Sequence, residues 1–191
     1  MKILRASDYK RMPWKNGKGE TVEIAVFPPD ASIDDFDWRI SMATVAEDGP
    51  FSVFEGIDRT LSVLTGEGVV LSVDGAESVE LRPSSAPHAF PADARTAARL
   101  LDGPVTDLNV MTRRDAFRHH VKRTTSEEDV WVRPNSAVVL IVANSHCQIV
   151  PDGIWLEPLD ALLLERDTSV GLRSDGVLSI FEIEISPQAK R

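Results

Sequence analysis

The chain has almost none of the residues that staple small folds covalently. Cys147 is the one cysteine in 191 residues, so an internal disulfide and a thiolate metal cluster are both excluded. His146 precedes it, but sequence neighbours in a strand face apart, which favours a buried, inert thiol over a catalytic Cys-His pair. Basic charge is also in deficit. A formal net charge of −9 argues against nonspecific nucleic-acid binding and against an anionic membrane surface. No apolar run approaches the roughly 20 residues that cross a bilayer. The stretch from Met1 to Asp8 lacks the apolar segment of about 7–15 residues that marks a signal peptide, so a cytoplasmic protein is expected. No Gly-x-Ser-x-Gly elbow occurs, and Gly17-Lys18-Gly19 has too few positions for a phosphate loop or dinucleotide fingerprint. Its plain reading is a tight turn.

What the chain does have is ordinary globular material: 42% hydrophobic and 27% charged residues, enough for a real core. Most of it reads as short strands between turn signals. These run from Val22 to Phe27 (stopped by Pro28-Pro29), Leu61 to Thr65, Val69 to Val73 (ending at Asp74-Gly75), and Val79 to Leu81. Later ones are Val138 to Ala143, Ile154 to Leu156, Leu162 to Leu164 and Val177 to Ile185. Helical signal is thin, confined to Ala6 to Arg11 and a turn around Ala92 to Arg95. The fold class is all-β.

A faint repeat supports two related β-barrels in tandem. Leu-x-Pro-x-x-Ala occurs at Leu81 to Ala86 and at Leu156 to Ala161, each preceded by an Asp-Gly turn and an apolar strand. The expected division is 1–125 for a first barrel and 126–191 for a smaller second one, with exchange of strands between the halves left open. The strand from Val138 to Ala143 is apolar on both faces, so the second half is expected to be filled with side chains. The basic stretch from Arg113 to Arg123 reads as a solvated connector or edge strand. The alternative is that its first arginines draw an anion toward a pocket.

The first half instead places polar side chains where a buried strand should be apolar. Residues two apart share a strand face, so Arg39, Ser41 and Ala43 point one way while Trp38, Ile40 and Met42 point the other. Asp107, Asn109 and Met111 likewise oppose Leu108 and Val110. An unpaired buried guanidinium or carboxylate costs several kcal/mol, so these groups need partners, most simply around a ligand cavity. Arg39 and Arg59 can each hold a carboxylate through paired hydrogen bonds. Ser41, Ser52 and Asn109 supply neutral donors and acceptors. Trp14, Phe51 and Met111 supply apolar wall, with Trp14 and Asn16 at the mouth. For Arg39 the alternative is an ion pair with Asp107 or Asp58; for Trp14 and Trp38 it is core packing; for Asn109, a buried amide that satisfies backbone groups. The ligand expected is a small anionic metabolite.

The motifs Trp14-Lys15-Asn16-Gly17, Trp38-Arg39-Ile40-Ser41-Met42-Ala43, Asp48-Gly49-Pro50-Phe51-Ser52 with Asp58-Arg59, and Asp107-Leu108-Asn109-Val110-Met111, in this order, resemble the HutD/Ves family of bacterial proteins. Lys18 departs from the small residue common in that loop. The resemblance implies a cupin-like double-stranded β-helix, with two barrels in one chain (a bicupin), and an association with histidine-degradation genes. It does not imply an established activity. Cupins often hold a metal through a His-x-His pair, and this chain has Ser52-Val53-Phe54 at that place. His88 stands alone, His119 and His120 face apart, and His146 is isolated, so neither metal nor other cofactor is expected.

The pathway association narrows the ligand to urocanate, imidazolone propionate, formiminoglutamate or formylglutamate, the last fitting two arginines and an Asn side chain best. The leading expectation is a non-catalytic sensor that moderates histidine utilisation. The main rival is a metal-independent isomerase or hydrolase with Asp107, His88 or Glu23 as acid or base. A third is a pure interaction scaffold. An exposed sheet edge makes a homodimer a reasonable expectation.

Overall fold

The computed structural model describes residues 1–14, 19–166 and 168–189. In chain order, β1 (Lys2–Leu4) and a 3-10 turn (Ala6–Asp8) precede β2 (Lys10–Pro13), β3 (Gly19–Phe27), β4 (Trp38–Val45), β5 (Gly49–Pro50), β6 (Ile57–Thr65), β7 (Val69–Val73), β8 (Val79–Leu81), β9 (His88–Pro91), β10 (Thr96–Leu100) and β11 (Val105–Arg113). Then come β12 (Phe117–Ser126), β13 (Val130–Val132), β14 (Val138–Ala143), β15 (Cys147–Val150), β16 (Ile154–Leu156), β17 (Ala161–Leu164), β18 (Val170–Arg173) and β19 (Leu178–Pro187). The expected all-β class is what the chain adopts. No helix among the described residues is long and apolar enough to cross a membrane.

The strands fall into two compact units. Lys10–Arg118 forms one; Met1–Tyr9 joins His119–Arg191 in the other. The first unit has a six-stranded sheet, β2-β3-β4-β11-β6-β9, and a four-stranded sheet, β5-β10-β7-β8. From β4 onward the chain passes back and forth between the two sheets, with β7 and β8 staying together, as in a double-sheet jelly roll, and the inner faces meet in a shared core. That core holds Leu61 and Val63 of β6, Leu71 of β7, Leu81 of β8, Phe90 of β9 and Ala98 of β10. Gly66 and Gly75 make the turns around β7 with φ of +93° and +83°. A Cβ at Gly66 would sit 2.5 Å from the Pro104 carbonyl oxygen, so glycine is required there for both reasons.

The second unit repeats the order eight strands later. β12-β19-β14-β17 corresponds to β4-β11-β6-β9, with β1 added at the β17 edge, and β13-β18-β15-β16 corresponds to β5-β10-β7-β8. The Leu-x-Pro-x-x-Ala repeat falls on matching places: Leu81 closes β8 and Leu156 closes β16. Where tandem barrels are expected, the described strands form four open sheets, and none closes on itself. The interior of the second unit is packed with aliphatic side chains, including Val139, Ile141, Ile149, Leu162 and Ile180. Cys147 lies among them; burial pushes its thiol up to about 11, which suits an inert residue. The basic stretch after Arg113 becomes β12, an edge strand.

Asp160 ties β1 into this second unit. Its carboxylate, 3% exposed, accepts from Arg5 Nη1 at 2.6 Å and from the backbone N–H groups of Ala6 at 2.8 Å and Glu157 at 3.1 Å. The Tyr9 hydroxyl lies 2.9 Å from the Leu159 carbonyl oxygen, closing the same segment.

Candidate functional site

The site grows from the register of the six-stranded sheet. Across β4 and β11, Arg39 faces Met111, Ser41 faces Asn109, and Ala43 faces Asp107. Across β11 and β6, Met111 faces Arg59, Asn109 faces Leu61, and Asp107 faces Val63. Directly opposed residues share a face, so two arginines, an aspartate, an asparagine and a serine lie on the face that also carries core Leu61 and Val63. The other face buries Trp38, Ile40, Met42, Leu108 and Val110. Strands buried on both sides leave these polar groups little solvent: Arg39 is 6%, Asp107 2% and Asn109 3% exposed.

Where the polar face meets the edge of the four-stranded sheet, a cavity of about 440 Å³ opens. Eight of the nine expected ligand-binding residues line it: Trp14, Arg39, Ser41, Phe51, Ser52, Arg59, Asn109 and Met111. Asn16, the ninth, lies outside the described residues. Thr21, Ile33, Ala43, Val45, Pro50, Phe54 and Asp107 complete the lining. Of these Ala43 and Asp107 follow from strand alternation, whereas the loop residue Ile33 carries no sequence signal.

Each motif has a local physical reason. Asp48 accepts the Leu100 N–H at 2.7 Å and the Phe51 N–H donates to the Thr96 carbonyl at 2.9 Å, which seats Gly49-Pro50 as β5 and delivers Phe51 and Ser52 to the cavity. Asp58 turns away from the cavity and pairs with Arg114 at 2.7 Å. Arg114 also holds Asp93 at 2.9 Å, and Arg113 lies 3.5 Å from Asp37, so both arginines serve structural pairs. Trp14 donates through Nε1 to Thr21 Oγ1 at 2.8 Å. Gly19 must be glycine, because a Cβ there would strike the Thr44 carbonyl oxygen and come within 3.0 Å of the Trp14 ring.

The two arginines are held differently. Arg39 donates through Nε to Glu23 Oε2 at 2.8 Å, rather than pairing with Asp107 or Asp58. Glu23 faces Ser41 in register with Thr21 and Ala43, on the cavity face, and a bulge in β3 follows it before Ala25. Arg59 lies over the Phe51 ring, 4.5 Å from its centroid, and over Phe90 at 5.7 Å. Its Nε donates to Asn109 Oδ1 at 2.8 Å, and Nη2 reaches the same oxygen. Asn109 in turn donates through Nδ2 to Asp107 Oδ1. The result is one chain, Arg59 to Asn109 to Asp107, with the amide orientation fixed by its neighbours.

Burial governs the ionisation of this chain. It pushes the Asp107 carboxyl up to about 6, against the pull of Arg59, Asn109 and the Ala43 N–H. Burial also brings Arg59 down to about 10, with Arg39 adding to the fall and Asp107 opposing it. Of the other two acid–base candidates, Glu23 is engaged by Arg39. His88 sits on β9 stacked with Phe90, 6.1 Å between ring centres, and does not line the cavity.

The donor set does not suit a divalent metal. Among the described residues the lining offers a single carboxylate, Asp107, beside two guanidiniums, and Ser52 and Phe54 occupy the lining where imidazoles would be needed. Among the described residues no three His, Cys, Asp or Glu side chains come together as ligands.

Comparison with known proteins matches this geometry to one family. A protein of 21.2 kDa encoded in the hutC 3′ region of Pseudomonas putida is 35% identical over 187 residues, covering 96% of this chain and 97% of that one. Protein Ves of Citrobacter koseri is 40% identical over 119 residues, 60% of this chain and 61% of its own. The structure of HutD from Pseudomonas fluorescens SBW25 superposes with a TM-score of 0.81 at 30% identity, covering 98% and 99% of the two chains. A cupin 2 conserved barrel domain protein from Leptotrichia buccalis shares the fold alone, with a TM-score of 0.58 at 8% identity over 93% and 96% of the chains. The family model for HutD matches residues 6–180, and this chain belongs to the HutD family.

Proposed function

We propose that the cavity receives a small carboxylate of histidine degradation, formylglutamate first among them, and that the protein senses this ligand and moderates histidine utilisation without consuming it. The observation that carries the reading is a pair of arginines in one cavity wall, Arg39 buried and Arg59 partly buried. Among the described residues Glu23 engages Nε of Arg39, and Asn109 takes Nε and Nη2 of Arg59; a guanidinium has five N–H donors, so each has capacity for a ligand carboxylate as well. Phe51, Trp14 and Met111 add apolar wall, and about 440 Å³ suits a metabolite of this size. The hut-region relative and the HutD structure supply the pathway. We read the two units, with their common strand order, as two cupin-type modules, the first bearing the site and the second filled.

Calorimetric titration with the four carboxylates of the pathway tests the reading. One of them binds, Arg59→Gln weakens it by roughly 10–100-fold, the scale of a charge-assisted hydrogen-bond pair, and mass analysis recovers it unaltered. Asp107 favours a second reading, an isomerase or hydrolase, because a buried carboxyl at about 6 is poised to exchange a proton. Recovery of a chemically changed ligand selects that reading. Absence of binding to all four at millimolar concentration removes both.

A further inference from the structure

We infer that the cavity takes up one proton with each carboxylate it binds, and that Asp107 carries that proton. This rests on the reading of the cavity as a carboxylate site and adds the chemistry of its buried end. The charged groups on the cavity face are Glu23 of β3, Arg39 of β4, Arg59 of β6 and Asp107 of β11. The segment after β5 contributes Phe51, Ser52 and Phe54, which are uncharged. With Asp107 ionised, two cations face two carboxylates and the wall is neutral. A ligand carboxylate entering that wall places a third anion beside Asp107, whose own carboxyl is 2% exposed, and like charges at so dry a place share a proton. With Asp107 protonated the wall carries one net positive charge, which matches one carboxylate.

The hydrogen-bond chain fixes where the proton goes. Asn109 Oδ1 is taken by Arg59, so its amide hydrogens point at Asp107 Oδ1 and keep that oxygen an acceptor. A flipped amide would set its NH2 group against the guanidinium. The proton therefore belongs on Asp107 Oδ2, and the acid donates that O–H to a ligand oxygen in place of repelling it. Protein, ligand anion and one solvent proton combine, and nothing is released. Asp107 is thus a specificity residue: it admits one carboxylate at the buried end and leaves any second charge to the mouth. Burial has already raised this carboxyl to about 6, so only a modest further push is needed near neutrality.

The test is calorimetry of N-formyl-L-glutamate and of formate, each in phosphate and in Tris, from pH 5.5 to 8.5, with wild type and Asp107→Asn. Both probes are ionised throughout, since free carboxyls titrate at roughly 3.3–4.3. Above about pH 7 wild type is expected to bind with an enthalpy that differs between buffers by about one proton's ionisation and to lose affinity about tenfold per pH unit, both dependences fading toward pH 5.5, where the free carboxyl already holds most of its proton. The Asn variant loses both dependences and at pH 8 binds more tightly than wild type, on the order of 10–100-fold. Binding by wild type that is independent of buffer and pH overturns the inference and leaves the carboxylate site standing. Proton uptake that persists in Asp107→Asn overturns it as well, by assigning the proton elsewhere. No binding of either probe at pH 5.5 overturns the site and the inference together. The two-buffer comparison on wild type decides the proton count even where the variant fails to fold.

Discussion

Replacing Asp107 with asparagine should stabilise the empty protein, and by an amount that depends on pH in a defined direction. The carboxyl is 2% exposed and its folded value rises from 3.8 to about 6. A group that holds its proton more tightly when folded favours folding fully below its unfolded value and loses that contribution as pH climbs through its folded value. Two units or slightly more correspond to about 3 kcal/mol, withdrawn between about pH 4 and pH 6. Asparagine keeps the shape and the Oδ1 acceptor for Asn109 while never ionising. The difference between variant and wild type should therefore be near zero at pH 4 and grow to about 2–3 kcal/mol above pH 7. Urea denaturation at half-unit pH steps measures it, with the slope of free energy against denaturant serving to show that the unfolded state is unchanged. A variant less stable than wild type at pH 7.5, by an amount that does not change on acidification, would refute the assignment of a buried, reluctantly ionised carboxyl.

Glu23→Ala should cost about 3–5 kcal/mol in the same assay, because it strands the Arg39 guanidinium, 7% exposed in its side chain, without its one carboxylate. Asp160→Ala removes the acceptor of Arg5, Ala6 and Glu157 at once; a loss of about 2–4 kcal/mol should come with amide exchange and proteolytic cleavage concentrated in residues 2–9. Gly19→Ala should separate β3 from β4 locally and displace Trp14, read as a change in tryptophan emission and weaker carboxylate binding in calorimetry. Arg114→Ala, which breaks half-exposed pairs with Asp58 and Asp93, should change stability by only about 1 kcal/mol and leave binding intact.

The sequence was most readable where a strand's own residues decide its structure. β7, β8, β14 and β16 have the bounds expected from their apolar runs and flanking Asp-Gly or Pro signals. β6 begins earlier than expected, at Ile57, because Asp58 and Arg59 interrupt the apolar run while still pairing with β9 and β11. β5 has two residues and β18 contains Gly171, so neither carries a period long enough to read; pairing with β10 and with β13 and β15 makes them strands. In the site, alternation alone put Arg39 with Ser41 and Asp107 with Asn109. It was silent on which partners they take. The Glu23 to Arg39 pair joins β3 to β4, and the Phe90 ring beneath Arg59 comes from a separate strand, so both are tertiary facts with no local signature.

The two units make the purpose of the polar wall legible, since they share an order of strands and differ in what fills them. The inward residues of β14, Val139, Ile141 and Ala143, are all aliphatic, while β6, in the matching place, offers Arg59, Leu61 and Val63. An aliphatic interior is therefore within reach of this topology, and the second unit realises it. Burying Arg39, Asp107 and Asn109, with Arg59 partly buried beside them, brings no advantage in stability over such a filling, because desolvation of buried ions offsets their mutual attraction and apolar replacements are often neutral or better. Within the network Asp107 also sits well above the ordinary carboxylate range. Stability accounts for the pairs that hold the arginines in place. It does not account for putting arginines there, or for keeping a cavity in front of them; the anionic ligand we propose would account for both.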